Sequence, residues 1–162
     1  MYQNKRFINS GGKNRMRIAI GNDHAGTEYK KIISEHLTAM GIEVENVGCD
    51  DDKSVDYPDY AKAVAKRIQE KQADLGILIC GTGVGMSIAA NKFKGIRASL
   101  CSDCYSAEMT RRHNNSNILC LGARVLGIDL AKRIVDTYID APFEGGRHLR
   151  RLNKITDIEN EE

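Results

Sequence analysis

The segment best suited to chemistry is a cysteine followed by alternating glycines. It reads Cys80, Gly81, Thr82, Gly83, Val84 and Gly85, and it follows an apolar run. A loop of this kind between a strand and a helix exposes successive backbone N–H groups, and the helix N-terminus adds positive potential. The pattern predicts a site for a phosphate or an oxyanion. The alternative is a tight strand-to-helix turn that binds nothing.

Within this segment, Cys80 is placed where a thiol acquires function. A thiolate at the end of a strand is stabilised when it faces a helix N-terminus. The alternative is a buried cysteine that serves only as a small hydrophobic side chain. Its position beside the predicted anion site favours a catalytic base.

Two further polar segments follow apolar runs, at residues 22–26 and 101–104. The first contains Asp23 and His24, and the second contains the C-x-x-C pair Cys101 and Cys104. In open parallel sheets, ligands bind outside the carboxyl ends of the strands. The three segments therefore predict an active site at one edge of a sheet.

Other interpretations of these motifs remain open from the residues alone. A dinucleotide fingerprint needs a third glycine where Met86 stands, and it normally follows the first strand, although Asp103 lies at a suitable distance for a ribose carboxylate. One C-x-x-C pair cannot hold zinc without further ligands. A redox role for that pair is the alternative to incidental spacing.

The elements that must position these residues alternate along the chain. Strands are predicted at residues 16–20, 42–47, 75–79, 96–101 and 118–121. Helical periodicity is centred on residues 29–40, 58–68, 87–92, 107–112, 130–139 and 149–158. This order predicts an α/β fold: a single-domain three-layer αβα sandwich with an open, five-stranded parallel Rossmann-like sheet. Residues 1–15 are expected to be a flexible leader, and residues 16–162 the domain. Asp56 is expected to cap the helix that begins near Pro58.

The composition excludes several classes of function. The chain has 162 residues and a formal net charge of +2, too small to indicate nucleic acid or a membrane surface as a bulk partner. No apolar run is long enough to span a bilayer. Five irregularly spaced cysteines indicate reduced thiols and a cytoplasmic location. The residues show no convincing cluster of metal ligands.

Five ordered motifs make the chain similar to the ribose-5-phosphate isomerase B family. They are RIAIGNDHAG at 17–26, DYPDYA at 56–61, GILICGTGVGMSIAAN at 76–91, RHNN at 112–115 and EGGRH at 144–148. The resemblance implies that D-ribose 5-phosphate and D-ribulose 5-phosphate interconvert through an enediolate, without a metal or cofactor, in the non-oxidative pentose phosphate pathway. Cys101 and Cys104 have no part in the family's chemistry.

The resemblance also implies a role for each matching residue. Cys80 would move the proton between C2 and C1, His113 would open the furanose ring, and Asp23 would hold ring hydroxyls. The backbone of residues 81–85 and the side chain of Thr82 would hold the enediolate oxygens. Phosphate would be bound by His24, Arg124, Arg147 and Arg151, and the sugar site would be lined by Asn114 and Tyr57.

The family's sites lie between subunits, so a homo-oligomer is expected, either a dimer or a dimer of dimers. The family includes allose-6-phosphate and galactose-6-phosphate isomerases, and the residues leave open which sugar phosphate is preferred. Two hypotheses from other classes are a nucleotide-dependent oxidoreductase and a sugar-phosphate sensor without turnover.

Overall fold

The computed structural model of the chain describes residues 15–161, in which strands and helices alternate. The predicted leader lies outside the described residues except for Arg15. Within residues 15–161, no helix is both long enough and apolar enough to cross a membrane.

The strands are short, and the third is buried along its whole length. Continuous burial is expected of a central parallel strand with helices on both faces. The five strands are β1 (Arg17–Asn22), β2 (Glu43–Asn46), β3 (Leu75–Cys80), β4 (Ala98–Leu100) and β5 (Ile118–Gly122).

The helices lie where the hydrophobic periodicity predicts them. A single turn of 3₁₀ helix, His24–Gly26, precedes the first. The six α-helices are α1 (Thr27–Ala39), α2 (Tyr57–Gln69), α3 (Val84–Ala90), α4 (Cys104–Asn114), α5 (Ile128–Asp140) and α6 (Arg147–Glu159).

Two local predictions need correction. The third helix begins at Val84 rather than Ser87, because the left-handed Gly83 ends the loop and the helix starts at the next residue. Asp56 does occupy the N-cap position of α2, but its side chain makes no capping hydrogen bond. Pro58 lies in the first turn of α2 as predicted.

The sheet is parallel throughout, in the order β2-β1-β3-β5-β4. This confirms the predicted doubly wound α/β fold. The strand order reverses between β1 and β3, so the carboxyl ends of these two strands border the crevice in which such folds bind ligands. Asn22 pairs with Ile79, and Cys80 pairs with Gly122.

The core consists of two apolar clusters, one on each face of the sheet. One joins β1, β3 and β5 to α1 and α5, with Ile33, Leu37, Ile134 and Tyr138 fully buried. The other joins the opposite face to α2 and α3, with Val64 and Met86 fully buried. Cys80 belongs to this second cluster. The α6 helix packs against α4.

Candidate active site

The loop after β3 holds the thiol of Cys80 against a backbone donor. The N–H group of Gly83 donates to Sγ of Cys80 at 3.1 Å, and only 5% of Cys80 is exposed. Gly83 has a φ of +79°, and a Cβ there would lie 2.9 Å from the carbonyl carbon of Leu121. Glycine is therefore required for the turn that brings this N–H to the sulfur. This hydrogen bond fixes the position of the sulfur at the start of the glycine loop.

The rest of the loop is packed closely around this thiol. The N–H group of Val84 donates to Oγ1 of Thr82 at 3.3 Å. The ring of Tyr57 lies against Gly85, where an added Cβ would come within 2.8 Å of the ring. Tyr57 is the first residue of α2 and remains partly exposed. The aromatic ring thus forms a wall beside the loop.

The 3₁₀ turn after β1 brings Asp23 and His24 to the same edge. Asp23 is almost fully buried, and its Oδ1 accepts from the N–H of Ala25 at 2.9 Å. Nδ1 of His24 accepts from the N–H of Val55 at 3.3 Å. Because the backbone group is a donor, this nitrogen carries no proton and Nε2 carries it in the neutral ring.

Arg124 lies beside the same loop. Its N–H donates to the carbonyl of Gly81 at 3.0 Å, and an atom added at Gly81 would lie 3.6 Å from Nη1 of Arg124. The guanidinium group therefore lies over the first glycine of the loop. A planar cation at this position suits a phosphate oxygen.

The other predicted residues lie at the opposite edge of the sheet. The α4 helix starts at Cys104, beside the carboxyl end of β4, and runs back towards the start of the strands. At a rise of about 1.5 Å per residue, His113 lies about 14 Å along this helix. Nε of Arg97, just before β4, donates to the carbonyls of Asn114 and Asn115. His113 and Asn114 are therefore far from Cys80 within one chain.

Arg147 and Arg151 accompany His113 rather than Cys80. They lie one turn apart at the exposed start of α6, which follows Glu144. The N–H of Glu144 donates to the carbonyl of Arg112 at 3.0 Å and so ties this segment to the end of α4. The structure thus divides the predicted site residues into two groups at two edges.

The second group contains a cluster that the sequence analysis did not predict. The rings of His113 and His148 are stacked, with centroids 4.2 Å apart and planes 6° apart. Oε2 of Glu144 lies 3.8 Å from Nε2 of His113 and 3.4 Å from Nε2 of His148. These three residues, together called the His–Glu–His cluster, could hold a metal ion. The EGGRH motif contains two of them, but nothing in its spacing indicates that His113 joins them.

Charges around the cluster set its electrostatics. Hydrogen bonds from Arg112 lower the pKa of Glu144 and keep its carboxylate ionised. Burial lowers the pKa of His148, and the neighbouring His113 lowers it further. A negative charge, that of the Glu144 carboxylate, therefore lies within 4 Å of both stacked rings.

The alternative interpretations gain no support from the structure. The glycine loop follows β3 rather than β1, and Met86, at the place of a third fingerprint glycine, is fully buried. The thiols of Cys101 and Cys104 are free, and both contact the same apolar cluster. Burial raises the pKa of Cys101 to about 11, which disfavours a reactive thiolate there.

A thiol beside a glycine-rich loop at the switch point of a doubly wound domain lies where folds of this class bind small ligands. The comparisons with known proteins specify the class further. The model of the Ribose/Galactose Isomerase family matches residues 18–155, and the chain belongs to this family.

Among curated proteins, ribose-5-phosphate isomerase B of Escherichia coli is 52% identical over 143 residues, covering 88% of this chain and 96% of that protein. Among solved structures, the Clostridium thermocellum ribose-5-phosphate isomerase B has a TM-score of 0.89 and 51% identity, and the match covers 90% of this chain and 99% of that one. The Mycoplasma genitalium enzyme, solved with bound ribulose 5-phosphate, has a TM-score of 0.87 and 46% identity over 91% and 98% of the two chains.

Proposed function

We propose that the chain interconverts D-ribose 5-phosphate and D-ribulose 5-phosphate, with Cys80 as the base and His113 as the group that opens the ring. The observation that carries this proposal is the hydrogen bond from the N–H of Gly83 to the buried sulfur of Cys80. It supports a thiolate at the switch point of a fold whose relatives are named for this reaction.

The isomerisation itself is a proton transfer between neighbouring carbons. The Cys80 thiolate takes the proton from C2 of the open-chain aldose, and the electron pair moves to form an enediolate whose negative charge lies on O1. Return of the proton to C1, with transfer of the O2 proton to O1, gives the ketose. Backbone N–H groups of residues 81–85 and the Thr82 hydroxyl stabilise the negative oxygens, a contribution of about 10²–10³ in rate for a single donor.

Ring opening must come first, because the furanose has no free carbonyl. It requires a proton to leave O1 and another to reach the ring oxygen, and an imidazole titrating near neutrality suits both. Oε2 of Glu144 lies 3.8 Å from Nε2 of His113, so a carboxylate accompanies this imidazole. Asp23, whose Oδ1 is held by Ala25, presents its carboxylate to ring hydroxyls.

Phosphate binding uses the arginines at both edges. Arg147 and Arg151 present exposed guanidinium groups from one face of α6, and Arg124 and His24 lie near the loop. Arginine donates bidentately to phosphate oxygens. Binding energy from this remote group positions the reacting carbons.

The two groups of residues meet only if a second copy of the chain supplies one of them. We therefore propose a two-fold dimer in which Cys80 of one chain faces His113, Asn114 and the α6 arginines of the other. Apolar side chains beside the loop support such an interface: Val84, Ile88 and Tyr105 are exposed on the chain alone. The free thiols at all five cysteines support a cytoplasmic location.

The experiment compares Cys80→Ala with Cys120→Ala as a matched control. Cys120 is fully buried in the same apolar cluster, two positions before the partner of Cys80 on β5. Ketose formation and exchange of the C2 proton with D₂O are followed by NMR at equal concentrations of folded protein. Cys80→Ala should lose about 10²–10⁴-fold in both, the usual contribution of a general base, whereas Cys120→Ala should retain them. Wild-type exchange in Cys80→Ala would remove the thiol from the mechanism.

A further inference from the structure

The His–Glu–His cluster has the composition of a metal site. It offers two imidazole nitrogens and one carboxylate oxygen, and the three ligand atoms lie within 4.8 Å of one another. Two histidines and a glutamate form a known ligand set for zinc, in which water takes the fourth position. Imidazole nitrogen favours zinc, cobalt and copper over magnesium and calcium, which prefer sets of oxygen ligands.

The carboxylate of this cluster is already oriented. Nε of Arg112 donates to Oε1 of Glu144 at 2.7 Å, and Arg112 is held in turn by Glu108, also at 2.7 Å. Because Arg112 engages Oε1, the other oxygen, Oε2, faces both histidine rings. Outer partners that orient a ligand in this way are typical of functional metal sites.

Two movements are needed before the cluster can bind an ion. Nε of Arg147 donates to Nε2 of His148 at 3.4 Å, so this guanidinium group must first move aside. Parallel rings cannot direct their nitrogen lone pairs at a single point, so one imidazole must turn out of the stack. His148 is 94% buried at its side chain, whereas 35% of the His113 side chain is exposed, in the last turn of α4. His113 is therefore the ring that turns, while Glu144 and His148 stay in place.

We propose that the cluster binds a zinc-type divalent ion, and that the bound ion inhibits the enzyme by withdrawing His113 from ring opening. A coordinated Nε2 can neither accept nor donate a proton, so the imidazole loses its acid–base function while the metal remains. The inhibition rests on the proposed function of His113, whereas the binding of the ion does not. The guanidinium groups of Arg112 and Arg147 lie beside the site and oppose the positive ion, so the binding is expected to be reversible.

Binding is tested with Co²⁺, whose visible absorption reports tetrahedral coordination. Cys80→Ser serves as the parent protein, because a thiolate at the loop would bind the same ion. The parent should show the cobalt bands, and adding His148→Gln or Glu144→Gln should abolish them. His36→Gln is the matched control, since His36 bonds Asp136 between α1 and α5, away from the cluster. Circular dichroism of each variant establishes that it is folded.

Inhibition is tested separately, by the decline of ribose 5-phosphate turnover with added Zn²⁺ and its recovery with EDTA. The turnover of each protein is expressed relative to its own metal-free rate. On this scale, the zinc concentration for half inhibition should be at least about tenfold higher in His148→Gln than in the wild type. Mg²⁺ at the same concentrations should have no effect. Absence of cobalt bands in the parent, or their survival in folded His148→Gln and Glu144→Gln, would refute the site. Cobalt bands without inhibition by zinc would refute the effect on His113 alone, and would do so whether or not Cys80 is the base.

Discussion

Activity should return when two inactive variants are mixed, if each site takes Cys80 from one chain and His113 from the other. Cys80→Ala lacks the base and His113→Ala lacks the ring-opening group, so each should be nearly inactive alone. The expectation follows from the length of α4, which carries His113 about 14 Å back from the edge where Cys80 lies.

The size of the recovery follows from two-fold symmetry. After complete exchange of equal amounts, about half of the dimers contain one chain of each kind. In such a dimer one site carries both substitutions, and the other is intact. About a quarter of all sites are then active, and turnover of ribose 5-phosphate should reach about a quarter of the wild-type value.

A matched mixture makes the opposite prediction. Wild type mixed with an equal amount of the double variant Cys80→Ala/His113→Ala has about half of the wild-type activity before exchange. If the sites are shared, every mixed dimer is inactive and the activity falls to about a quarter. If each chain holds a complete site, the activity stays at about half.

The assay requires that subunit exchange be verified, for example by mass spectrometry of dimers labelled with different isotopes. Negligible activity in the first mixture, together with an unchanged half in the second, would refute the shared site. The proposed chemistry of Cys80 would be unaffected by that result.

Three further predictions concern single properties. Prolonged treatment with EDTA should leave the turnover unchanged or raise it, because backbone donors stabilise the enediolate; a loss reversed by zinc or magnesium would contradict this. Arg147→Ala should raise the KM for ribose 5-phosphate about 10–100-fold, equivalent to about 1.5–3 kcal/mol. The KM for unphosphorylated ribose should change little. Arg150 is also exposed at the start of α6, and Arg150→Ala is the control. Cys101, with a pKa of about 11, should resist iodoacetamide at pH 8 in the folded protein, whereas partly exposed Cys104 should react, as measured by peptide mass spectrometry. Equal labelling of the two thiols would show that burial does not protect Cys101.

Local patterns predicted the fold well because parallel α/β sheets are specified by short-range signals. The apolar run at residues 75–79 indicated a central strand, and the helical periodicity at residues 29–40 indicated α1. The start of α3 was less predictable. Whether a helix begins at Val84 or three residues later depends on the conformation of Gly83, which is set by its contact with β5.

The candidate site was predictable only in part, for a geometric reason. Residues that follow β1 and β3 must meet at the carboxyl edge, so the proximity of Asp23 to the glycine loop follows from topology. The position of His113 depends instead on the length and direction of α4. Hydrophobic periodicity does not fix the ends of a helix to within one residue. The stacking of His113 on His148 depends further on how α6 packs against α4, a contact between elements that no local pattern encodes.

Within one chain, the thiol of Cys80 and the imidazole of His113 have separate surroundings. A cysteine and a histidine in contact tend to form an ion pair, in which the imidazolium fixes the thiolate and loses its own freedom to exchange protons. Here the backbone N–H of Gly83 stabilises the sulfur, and Glu144 and His148 surround the imidazole. Each group therefore has its own electrostatic surroundings within one chain. The same arrangement places His113 beside a carboxylate and another imidazole, which together form the ligand set of the proposed metal site.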